Sequence, residues 1–91
     1  MTDRTLDLNE SGPSPTPLSA NAGDPITINN NIGSEVTLTL GNAGVFNPSQ
    51  GTSLAVPTTG WSGTIGNTSS DYSYPVVSLD AATRNGRINV G

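Results

Sequence analysis

The stretch Asn30-Asn31-Ile32-Gly33-Ser34-Glu35-Val36-Thr37-Leu38-Thr39-Leu40-Gly41-Asn42-Ala43-Gly44 decides the fold class. Val36, Leu38 and Leu40 are apolar, and Glu35, Thr37 and Thr39 between them are polar. A period of two turns one side of an extended strand to a core and the other to water. Val and Thr, stiff at χ1, suit a pleated surface better than a helix. Asn and Gly on both flanks favour turns, which bounds the strand at each end.

The same reading extends outward. Ile26 and Ile28 alternate with Thr27 and Asn29; Trp61, Gly63 and Ile65 with Ser62 and Thr64; Tyr72, Tyr74 and Val76 with Ser73 and Pro75. Leu6 and Leu8 at the front, and Ile88 and Val90 at the end, each share a face. Turn signals separate these runs at Ala22–Pro25, Thr58–Gly60 and Gly66–Thr68, and Asn85-Gly86 reads as a two-residue hairpin turn. Eleven Gly and seven Pro leave no long window for a helix. The expectation is an all-β chain, one domain over residues 1–91, folded as a Greek-key sandwich or barrel of about seven or eight short strands. The Pro/Ser-rich residues 9–17 read as a bend or hinge. Met1 to Leu8 is either the first strand of its own domain or a strand given to a neighbouring copy.

Composition excludes chemistry. The 91 residues hold no Cys and no His, and the three basic residues are Arg4, Arg84 and Arg87, so there is no Lys. This removes disulfides, thiolate and imidazole ligands, the usual general base, and Schiff-base or P-loop lysine chemistry. A net charge of -4 disfavours nucleic acid and anionic membrane surfaces, and no stretch has the apolar length of a membrane span. The N-terminal residues lack the apolar core of a signal peptide, an expectation that leaves a removed leader and an extracellular location open.

The order of motifs resembles the cupredoxins, plastocyanin-type members in particular. Ser14 to Ile28, with Pro15 and Pro17 before a strand and Ala22-Gly23-Asp24 before the next, is similar to their second and third strands. Asn30-Asn31 with Gly33 resembles the turn before the first copper ligand. Tyr72 to Val76 resembles the strand leading to the ligand loop, and Asn85 to Val90 the closing strand. The resemblance implies a cupredoxin-like β-sandwich. It also implies where ligands would fall: the first His at Val36, the Cys at Val76, the second His near Leu79 and the Met near Arg84. None of these residues can bind copper, so the resemblance carries over a scaffold without metal or cofactor.

The remaining candidates have plain readings. Asp24, Asp71 and Asp80 lack the spacing of a Ca²⁺ loop, and Asp24 closes the Ala-Gly-Asp turn. Ser and Thr abound, but no imidazole or lysine is present to activate a hydroxyl, and no enzyme is expected. Phe46, Trp61, Tyr72 and Tyr74 are the only aromatics and are expected in the core. Asn67-Thr68-Ser69 and Asn9-Glu10-Ser11 match the glycosylation sequon, a short pattern common by chance in such a chain. The functional expectation is a non-catalytic structural module that packs with copies of itself. Its lysine-free surface of Ser, Thr, Asn and Gly gives little repulsion between like chains. The alternative is a ligand- or carbohydrate-binding module using an exposed aromatic.

Overall fold

Alternation of buried and exposed residues runs through the strands, as a sheet with one solvated face requires. The computed structural model describes residues 2–76 and 82–91. Nine strands lie among them: β1 (Arg4–Asn9), β2 (Gly12–Ser14), β3 (Leu18–Ala20), β4 (Pro25–Asn30), β5 (Val36–Leu40), β6 (Ser53–Val56), β7 (Trp61–Thr64), β8 (Ser70–Val76) and β9 (Ala82–Val90), with one turn of 3-10 helix over Ala43–Val45. The count exceeds the seven or eight expected because the Pro/Ser-rich bend itself holds a short strand, β2.

The fold is an all-β sandwich. One sheet has the order β2-β1-β4-β7 and the other β3-β9-β8-β5-β6. Both are mixed, because β1 runs parallel to β4 and β3 parallel to β9. β1 therefore pairs within its own chain, between β2 and β4. Among the described residues the chain crosses between the sheets five times, at residues 15–17, 21–24, 31–35, 57–60 and 65–69.

Leu6, Leu8, Ile26 and Ile28 from the first sheet meet Leu38, Tyr74, Val76 and Ile88 from the second in one continuous core. Each is almost fully shielded from water. Burying a side chain of this size contributes about 1.5–3 kcal/mol. So small a chain has few such residues to spare.

The sequence reading of Asn85-Gly86 as a hairpin turn is wrong. Both residues lie inside β9, opposite Ser73 and Tyr72. Asn-Gly favours a turn only where the flanking strands can pair with each other. Here both flanks belong to one long strand paired along β8. Gly86 serves packing instead. A Cβ there would strike the Tyr72 hydroxyl and the Pro13 ring, so its absence lets the Tyr72 ring settle against β9.

Candidate functional site

The cupredoxin resemblance implies ligand positions at Val36, Val76, Leu79 and Arg84. Val36 begins β5 and Val76 ends β8. These strands pair antiparallel with Thr39 opposite Ser73 and Leu40 opposite Tyr72. Both valines are buried in the aliphatic core. Leu79 lies outside the described residues. Arg84 is in β9 opposite Tyr74, and its Nε donates to the Glu10 carbonyl oxygen at 2.7 Å.

That hydrogen bond has a companion. Tyr74 Oη donates to the Asn9 carbonyl at 2.8 Å. Tyr74 and Arg84, neighbours across two strands of one sheet, thus hold the tip of the β1–β2 hairpin of the other. Tyr74 is buried, and burial pushes its phenol above the ordinary tyrosine value. Burial pushes the Tyr72 phenol up further, with nearby Tyr74 adding to the effect. The Tyr72 hydroxyl finds no hydrogen-bond partner among the described residues.

A second knot surrounds Asp24, which is buried. Its carboxylate accepts from the Asn21 N–H at 2.9 Å, from Arg4 Nε at 2.9 Å and from the Thr2 N–H at 3.4 Å. The Asn21 backbone hydrogen bond first, and Arg4 second, hold its pKa below the ordinary aspartate value. The turn reading of Asp24 anticipated the Asn21 contact. Nothing local in the sequence signalled Arg4, which stands across the β1–β4 pairing.

Asn30 is a third tie that sequence reasoning passed over as a plain turn residue. Its Nδ2 donates to the carbonyls of Ser34 at 2.7 Å and Val56 at 3.1 Å, and its Oδ1 accepts from the Ile32 N–H at 2.8 Å. One side chain thereby shapes the turn into β5 and joins β4 to β6.

Of the aromatics, Phe46, Tyr72 and Tyr74 are buried, whereas Trp61 is half-buried and packs against the core. Trp61 falls short of full burial because β7 is an edge strand. Its indole folds over Gly63, the next residue on the same face, where a Cβ would collide with the ring. The Phe46 ring centroid lies 4.9 Å away at a 56° tilt.

The charged groups are spread apart. Asp71 pairs with Arg87 at 2.9 Å on the surface. Asp80 is outside the described residues. Among the described residues no three His, Cys, Asp or Glu gather into a set that could hold a metal ion. A different feature emerges once charge is mapped onto strands. The sequence holds no Asp, Glu, Lys or Arg between Glu35 and Asp71. That interval supplies β5, β6 and β7, so the β6 and β7 edges and the link between them form an uncharged flank. No family model matches the chain, and no curated protein is detectably similar to it.

Proposed function

We propose that this chain is a structural module that assembles with copies of itself, on a cupredoxin-like scaffold without a metal site. The observation that carries the reading is the uncharged flank built from β5, β6 and β7. Two chains of net charge -4 repel least where neither bears charge. The strand following Pro17, the Ala22-Gly23-Asp24 turn before β4, and the long closing strand β9 support the cupredoxin-like part of the reading. The buried valines at 36 and 76 support its metal-free part, since aliphatic side chains fill those positions.

Light scattering and electron microscopy of the pure protein test the reading. The expected result is mass that rises with concentration, or ordered particles. A strict monomer up to millimolar concentration overturns it. Trp61, the one aromatic of the four that is not fully buried, favours carbohydrate binding as the second reading. A glycan array with no hits, and indole fluorescence unmoved by sugars, removes that alternative.

A further inference from the structure

The four sheet edges differ in how they are protected. β2 carries Pro13 and leads into Pro15, and three-residue β3 follows Pro17. Proline and short length both blunt an edge. The β7 edge is met by residues 46–47: the Asn47 N–H donates to the Thr64 carbonyl at 2.9 Å, and Phe46 bridges Ile65. β6 is also short and runs into Pro57, but among the described residues no segment outside its sheet hydrogen-bonds to the backbone of Ser53 or Ala55. It holds no proline and no charge.

The backbone polarity of β6 follows from its pairing with β5. The Leu40 N–H donates to the Thr52 carbonyl at 2.8 Å, and Leu38 stands opposite Leu54. In an antiparallel ladder hydrogen-bonded and non-bonded pairs alternate. Thr52, Leu54 and Val56 therefore direct their N–H and C=O groups at β5. Ser53 and Ala55 direct theirs outward. Both residues are exposed.

We infer that β6 is the self-association edge, pairing antiparallel with β6 of a second copy about a two-fold axis through Leu54. This rests on the reading of the chain as a self-assembling module. Under that symmetry Ser53 of each copy faces Ala55 of the other, so each outward N–H meets an outward carbonyl and the edge satisfies itself. Ser53 and Ala55 are small and bring no charge, so neither sterics nor repulsion opposes the approach. Glu35 immediately precedes β5, at the end where Val36 pairs with Val56. The two-fold therefore sends the two Glu35 carboxylates to opposite ends of the joint. An extraneous strand would match the same hydrogen bonds, but the self-complementary spacing and absence of charge favour a second copy.

The test is analytical ultracentrifugation of wild type, Ala55→Pro and Ser53→Lys, with amide exchange measured at low and high concentration. Proline at 55 removes an outward N–H and no bond to β5, so the fold is retained. Lysine at 53 places like charges near one another across the joint. The expected result is wild-type association lost in both variants, with Ser53 and Ala55 amides at least tenfold slower to exchange at high concentration. Wild-type association unchanged in folded variants, or amides whose exchange ignores concentration, overturns the edge assignment and leaves self-assembly standing through another surface. A wild type that stays monomeric overturns both. Should a variant fail to fold, the wild-type exchange comparison decides.

Discussion

Tyr72 and Tyr74 sit two positions apart on one strand, yet their hydroxyls have opposite consequences. Tyr74 Oη donates to the Asn9 carbonyl, whereas Tyr72 Oη is buried and unpaired among the described residues. A buried hydroxyl with a partner contributes about 1 kcal/mol, and one without a partner costs the desolvation of the group. Tyr74→Phe is therefore expected to lower stability by about 1–2 kcal/mol, because it also orphans a carbonyl. Tyr72→Phe is expected to leave stability unchanged or raise it. Urea unfolding of the two variants checks this, and equal losses would count against the assignment. Period-two alternation placed both rings on one face. It carried no information about their hydroxyls, because the Asn9 carbonyl is 65 residues from Tyr74 in sequence.

At the scale of elements, β9 shows where local signals give way. Asn85-Gly86 has the local preference for a tight turn, but a nine-residue strand runs through it because pairing with β8 continues on both sides. Gly86 is then held by its neighbours rather than by its own conformation. Gly86→Ala is expected to cost about 1–3 kcal/mol, since the Tyr72 ring and Pro13 must move. A calorimetric melting temperature unchanged from wild type would show that the ring has room. β5 is the opposite case. Its Val-Thr-Leu-Thr-Leu alternation, bounded by Asn/Gly turns, was legible in full because local pattern and burial agree there. Trp61 lies between these cases: its alternation gave the inward face, and only the strand order made β7 an edge and left Trp61 short of full burial.

For the whole molecule, titration limits stability at the two ends of the pH scale. Asp24 has a folded pKa below its unfolded value of about 3.9, so its contribution is complete above that value and lost as pH falls through the folded one. Tyr72 and Tyr74 have folded values above the unfolded value of about 10, so their contribution is complete below that value and lost as pH rises towards the folded ones. No His or Cys side chain titrates in between. Thermal stability is expected to stay level from about pH 5 to 9 and to fall on both sides. Asp24→Asn is expected to flatten the acid fall. A sharp transition near neutral pH in a melting series would contradict this account.

Local pattern and composition specify the class of fold, the alternating core residues of most strands, and the absence of any chemistry that needs Cys, His or Lys. Those properties depend on composition and on a period of two, which neighbouring residues specify together. Tertiary structure decided the rest: the Arg4–Asp24 knot, the hold of Tyr74 and Arg84 on the β1–β2 tip, and which strands lie at the sheet edges. Each depends on which strands become neighbours. Strand order follows from burying all the apolar faces at once, a condition no single segment contains.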